Sequence, residues 1–430
     1  MTESKEGLRA VFIILAMTLL FIPPAYAEVL EVNIERALDL ALANNNRIKI
    51  AESDAAIAGE ARRQAHRAKG VSVNVNHSSS YTDYQGESYL QSHGESYGNR
   101  ITVSYPLYTG GVLGGAMEKA DSDYKSQGEA LRKSHQDLKF DVTSGVYTIL
   151  RAADAAHQAE ESELRLSAHV DNVRIQYENG RVGKADLLRS EVELSNAKQS
   201  RIRAASDLDI SVKQLNNLMG VPLDTELRID EKMAYEKYTH ALEECVSYAR
   251  QVHPSLTMAS LAIESAEAEA RMAKGNMLPT ASVSAVQNLG SASSWPGWEA
   301  DSFSIGIDIE YTLTDAGVGA SRVSSAEEAL KRAKFNYEGI LESVILSVNS
   351  DYNSITEAAL RVEESASAIS KAREAYDIAV NRYNEGVGTN IDVVDFQSAL
   401  TVATSNHTQA LCDYNIALAR IENSMGGPLR

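Results

Sequence analysis

The stretch FSIGIDIEYTL, from Phe303 to Leu313, carries an apolar residue at every odd position and Ser, Gly, Asp, Glu or Thr at every even one. Alternation over this length predicts a β-strand with unlike faces. Two environments satisfy such a strand. In a soluble sandwich the isoleucine face packs on a second sheet, and Asp308 and Glu310 meet solvent. In a membrane barrel that face meets lipid, and the two acids line a water-filled lumen. The strand by itself leaves both open.

Working outward from it, the chain repeats itself. YPLYTGGVLGGAMEKA from Tyr105 matches YTLTDAGVGASRVSSA from Tyr311, YENGRVGKADLL from Tyr177 matches YNEGVGTNIDVV from Tyr383, and LMGVPL from Leu218 matches SMGGPL from Ser424. All three pairs share one offset, 206 residues, which marks a tandem duplication. The copies are expected at 28–222 and 223–430. Each holds a helical run, two strand-like segments, a very long helical run and, after a Gly turn, a shorter helix. The strands are expected at about 70–82, 100–109, 279–290 and 302–313, and the first helical runs at Ile34–Ala68 and Ala241–Ala273. The long runs, Gly114–Glu178 and Ala320–Asn384, keep apolar or small residues at steps of three and four, as in Val344, Val348, Tyr352 and Ile355. About 65 residues at 1.5 Å each make about 97 Å of helix, a length that calls for coiled-coil-like packing.

Residues 1–27 read as a secretory signal peptide: Lys5 and Arg9, an apolar run from Ala10 to Ile22, then Ala25-Tyr26-Ala27 as a small-x-small cleavage site. Beyond it no segment is apolar enough to span a bilayer as a helix, so residence in a membrane requires a barrel. A net charge of −18 argues against nucleic acid as a partner. Cys245 and Cys412 lie in helical sequence and read as buried small residues. The nine histidines are scattered without metal-ligand spacing. GGVLGG at Gly110–Gly115 lacks the Lys-Ser/Thr of a phosphate loop and reads as a tight corner between strand and helix. Neither a metal, a cofactor nor an enzymatic activity is expected.

Four strands cannot close a barrel, and open edges are forbidden in lipid, so several chains must contribute; three would supply twelve strands. The polar, Gly/Ser-rich loops between the strands carry Tyr84, Trp295 and Trp298, with Tyr81 at a strand end, and aromatic residues there suit a lipid–water interface. These loops favour the barrel, with Asp308 and Glu310 facing its lumen.

YNEGVGTNIDVVDFQSAL at Tyr383 and the YPLYTGG corner at Tyr105 carry a resemblance to the TolC family of outer-membrane factors, over nearly the whole chain after residue 27. The resemblance implies a mixed α+β membrane protein. It would be a homotrimeric channel-tunnel with a 12-stranded β-barrel, four strands per chain, continued by a long α-helical periplasmic barrel. It implies an outer-membrane exit channel of a tripartite efflux pump or type I secretion system. The implied partners are outer-membrane lipid, a periplasmic adaptor (membrane fusion) protein and an inner-membrane pump of RND or ABC type. It also implies adaptor docking at two helical tips, by Gly180, Val182, Gly183, Asp186, Gly386, Val387 and Gly388. Asp392 and Asp395, three apart on one helical face, would narrow the periplasmic entrance as stacked rings of like charge. Where the family pattern sets an Arg in the second tip this chain has Asn390, leaving Arg181 or Lys184 to pair with Asp186. The alternative is a soluble periplasmic coiled-coil scaffold whose four strands form a small sandwich.

Overall fold

The computed structural model describes residues 29–83, 93–291, 298 and 300–429. The expected signal peptide, Tyr84 and Trp295 lie outside the described residues. In chain order the first elements are β1 (Leu30–Val32), α1 (Ile34–Asn44), α2 (Asn46–Arg67), β2 (Ser72–Asp83), β3 (His93–Tyr108), α3 (Val112–Glu178) and α4 (Lys184–Met219). After them come β4 (Leu227–Ile229), α5 (Leu242–Val252), α6 (Pro254–Gly275), β5 (Thr280–Ser291), β6 (Ala300–Glu310), α7 (Val318–Asn384) and α8 (Asn390–Met425). The order repeats, and so do the lengths: α3 and α7 have 67 residues each, α4 and α8 have 36 each.

The first helical run of each copy is two helices, not one. Asn45 leaves α1 in an extended conformation (φ −65°, ψ 127°) and donates from Nδ2 to the Leu218 carbonyl at 2.8 Å. In the second copy His253 takes that place, its ring accepting the Ser255 N–H, with Pro254 opening α6. Proline is tolerated there because the first turn needs no N–H from it. Apolar spacing continues through both breaks, so periodicity does not reveal them.

The chain forms two compact units, each drawing on both copies. One takes residues up to Asn46, His135–Leu242 and Asn349–Asn423. Its core is a set of seams at steps of three and four: Leu138, Val142, Val146 and Ile149 on α3, Ile355, Ala358 and Val362 on α7, Tyr414, Ala417 and Ile421 on α8, all buried. Such spacing is the coiled-coil pattern. β1 and β4 form a parallel pair. The extended segment that follows β4 is held by Tyr414, whose hydroxyl donates to the Glu236 carbonyl and accepts the Tyr238 N–H at 3.0 Å. Asn415 donates to the Ala234 carbonyl at 3.0 Å.

The other unit takes Arg47–Ser134, Glu243–Val348 and residues from Ser424 onward. It contains one antiparallel sheet in the order β2-β3-β5-β6. At the corner between β3 and α3, Gly110 and Gly111 have φ of 61° and 87°. A Cβ on Gly110 would stand 2.2 Å from the Gly275 carbonyl oxygen, so the corner packs backbone to backbone against the end of α6. Tight turning accounts for the Gly-rich motif.

Strand limits differ from expectation at two ends. β3 begins at His93, seven residues before the expected Arg100, because β2 pairs with it out to Asp83. β6 stops at Glu310, opposite Thr280, so Tyr311 and Leu313 lie beyond it. The residue before Thr280 is Pro279, which has no N–H to offer the ladder.

Candidate functional site

The sheet sorts its side chains by face. Cross-strand rows on one side run Val73–Val103–Ala285–Ile305, Val75–Ile101–Gln287–Phe303 and, over three strands, Tyr105–Val283–Ile307. Rows on the other run Ser72–Ser104–Ser284–Gly306, Asn74–Thr102–Val286–Ser304 and Asn76–Arg100–Asn288–Ser302. The polar side is knit together across the strands. Ser72 meets Ser104 at 2.7 Å, Arg100 Nε donates to Asn288 Oδ1 at 3.0 Å, and Asn288 Nδ2 donates to Ser302 Oγ at 3.0 Å. Asp308 lies on this side, accepting from Ser284 Oγ at 2.8 Å, and Glu310 follows two residues on, both exposed.

The apolar side is bare. Phe303, Ile305, Ile307 and Ile309 are 65–72% exposed, and Val73 and Val75 are exposed too. Among the described residues no second sheet covers it, so the sandwich of the soluble alternative is not formed. Tyr81 sits on the same side near the end of β2, 66% exposed, and Trp298 is exposed beyond β5. Among the described residues both outer strands, β2 and β6, lack a partner on their free edge.

The two tips are built alike. α3 ends on Gly180 (φ 69°), whose N–H bonds the Tyr177 carbonyl at 2.9 Å while the Arg181 N–H bonds that of Gln176 at 2.8 Å. α7 ends on Gly386 (φ 76°), with Gly386 bonded to Tyr383 at 3.1 Å and Val387 to Arg382 at 3.0 Å. Both are the left-handed Schellman ending that glycine permits. Val182 is half-buried against the core cluster of Val173, Ala379, Tyr383 and Val393, whereas Val387 is 65% exposed.

Asp186 and Asp392 occupy the same position of the two copies and do the same thing. Asp186 accepts the Gly183 N–H at 3.3 Å, and Asp392 accepts the Thr389 N–H at 3.2 Å while its own N–H bonds Thr389 Oγ1. These are acids of the capping box. The hydrogen bonds from Thr389 hold the Asp392 carboxyl below the usual carboxylate range. In the single chain that direction is opposite to the rise which mutual repulsion between stacked acid rings would bring. Asp392 and Asp395 are both exposed on one side of α8, whose opposite side buries Val393, Val394 and Gln397.

Asn390, the residue standing where a cation is expected, does not face out. It is 4% exposed and joins three helices. Its Oδ1 meets His169 Nε2 of α3 at 2.6 Å and accepts from Ser190 Oγ of α4 at 3.2 Å. Its Nδ2 donates to the Asp186 carbonyl at 3.2 Å. The His169 ring stands 5.4 Å from that of Tyr383. Sequence reading placed neither His169 nor Ser190 here. The available signal was the break in repeat symmetry: Asn390 stands 206 residues after Lys184, which is exposed.

Comparison with known proteins follows the same lines. The family model described as "Outer membrane efflux protein" matches residues 37–221 and 245–427. "Outer membrane protein TolC" of Vibrio cholerae is 23% identical over 316 residues, 72% of this chain and 70% of that protein. "Alkaline protease secretion protein AprF" of Pseudomonas aeruginosa is 21% identical over 337 residues, 76% of this chain and 69% of that protein. In three dimensions the chain superposes on the Campylobacter jejuni CmeC outer membrane channel with a TM-score of 0.83 at 14% identity, covering 92% of this chain and 85% of that one.

Proposed function

The chain belongs to the outer membrane efflux protein family, and from that premise we propose how its copies build an exit duct. The protein is an outer-membrane channel for efflux or secretion, extending into the periplasm. Three copies joined edge to edge, β6 of one on β2 of the next, close a 12-stranded barrel in which no edge is left unpaired. The isoleucine side then meets lipid, and the hydrogen-bonded polar side, with Asp308 and Glu310, lines the water. Tyr81 and Trp298 sit at the rim. Transport is passive: an inner-membrane pump and a periplasmic adaptor supply the direction, and the cargo is set by the pump.

At the periplasmic end the tips around Gly180, Val182, Gly183 and Asp186, and around Gly386, Val387 and Gly388, receive the adaptor. Asp392 and Asp395 supply a cation-attracting constriction, since their side of α8 is free in the single chain. The observation that carries this reading is one sheet with a bare apolar face, a polar face knit across its strands and two open edges. Reconstitution in planar bilayers tests it. The protein should insert as trimers and conduct, and replacing Asp392 and Asp395 with Ala should weaken block by multivalent cations added on the periplasmic side. Unchanged block removes the two acids from the constriction; failure to insert removes the duct.

A further inference from the structure

Within the tip region one polar joint ties a histidine to its neighbours through a single amide side chain, that of Asn390. Asn390 at the start of α8 is shared between His169 of α3, Ser190 of α4 and the backbone of Asp186. Every hydrogen bond through Asn390 therefore ties the second hairpin, α7–α8, to the first, α3–α4. We propose that this joint is a proton-sensitive pin: the packed arrangement of the two hairpins holds while His169 is neutral and loosens when the imidazole takes up a second proton. The proposal rests on the reading of these tips as the periplasmic mouth only for its consequence to conduction; the pin itself is a property of one chain.

The geometry supplies the reason. Nε2 is committed to Asn390 at 2.6 Å, so an added proton goes to Nδ1. Among the described residues no acceptor contacts Nδ1, and no carboxylate lies within ion-pair distance of the ring. On its own helix Arg165 pairs with Glu161, and Arg174 with Asp171 and Glu191. From α4 comes Asp186, whose carboxylate is turned to its own cap at Gly183. From α7 come Tyr383 and Tyr376, and from α8 only the solvent-facing Asp392 and Asp395. A charged imidazolium would thus stand half-buried against an aromatic ring with no carboxylate to balance it.

Burial pushes the His169 pKa down, with the Asn390 bond opposing that in part. Packed hairpins therefore bind the proton more weakly than loosened ones. Their packing has its full advantage above about pH 6.5, the ordinary imidazole value, and loses it as the pH falls below that. A second bias acts in the same place. The Tyr383 hydroxyl is buried with no hydrogen-bond partner among the described residues, a cost that loosening relieves by admitting water.

Spin labels at Arg181→Cys and Val387→Cys, in a full chain with Cys245 and Cys412 replaced by Ala, read the distance between the two tips. It should be narrow at pH 8 and broaden below about pH 6.5. His169→Asn should remove the pH response. Asn390→Asp, by placing a carboxylate beside the ring, should let the packed hairpins hold the proton, so that the broadening in acid shrinks or reverses. A distance that ignores pH between 5 and 8, a response that survives His169→Asn, or a broadening in acid that is unchanged in Asn390→Asp overturns the pin. Single-channel recording of the same proteins separates the two readings: labels that respond while conductance does not leave the pin standing and refute its place at the channel mouth.

Discussion

Replacing Ile305 with Arg puts the membrane reading at risk in one step. Ile305 is the middle residue of β6, Ala300–Glu310, and is 71% exposed on the apolar side of the sheet. Eleven residues at about 3.3 Å each give about 36 Å of strand, and a tilt near 45° leaves about 26 Å of height, close to the apolar band of such barrels. Ile305 then sits near the bilayer midplane, where Arg costs about 2–4 kcal/mol. Three copies per assembly raise that to about 6–12 kcal/mol, at least about 10⁴-fold in the folding equilibrium. On a surface facing water the same change stays within about 0.5 kcal/mol. Ser304→Arg, one residue away and on the polar side opposite Val286, is the control. The assay is refolding into phospholipid vesicles followed by urea titration, with the trimer scored on unheated gels. Equal destabilisation by the two substitutions would refute the assignment of faces.

The helical parts make sharper local claims. Gly275→Ala places a Cβ 2.5 Å from the Gly110 carbonyl oxygen and should lower stability by about 1–3 kcal/mol. Gly339→Ala, within α7 with nothing within 4 Å of the added atom, should raise it by about 0.5–1 kcal/mol; calorimetry of the two variants reads the opposite signs. Tyr414→Phe removes the hydroxyl that serves the Glu236 carbonyl and the Tyr238 N–H, at a cost of about 1–3 kcal/mol, and amide exchange at Tyr238 should speed up. Because the Thr389 bonds depress the Asp392 pKa, that carboxylate supports the start of α8 above about pH 3.9 and loses its effect as the pH falls through the lowered value. The protection factor of the Thr389 amide should therefore fall in acid in the wild type, and Asp392→Asn should have lost that protection already at neutral pH.

Much of this was legible because the informative patterns were local or repeated. Alternation at Phe303–Ile309 is a period of two read straight from the chain, and the 206-residue offset aligns the tips, corners and helix ends within the sequence itself. What escaped notice depended on partners far away. β1 and β4 are three residues each and pair across about two hundred positions, so neither carries a pattern of its own. Asn45 ends α1 by bonding the Leu218 carbonyl, a partner that spacing does not name. In the sequence Asn390 stands out only as the residue found where the family pattern sets a cation. Its burial comes from His169 and Ser190 arriving on other helices, and one amide side chain gives no sign of which partners fold will bring.

The claim beneath all of these is that β6 has oil on one side and water on the other. Nitroxide labels placed one at a time from Ser302 to Ile309, with the trimer in lipid vesicles, measure it directly through collision rates with oxygen and with a water-soluble nickel chelate. Labels at 303, 305, 307 and 309 should collide mainly with oxygen, and those at 302, 304, 306 and 308 with nickel. Nickel-dominated collisions at all eight positions, or a profile without the two-residue period, would contradict the account.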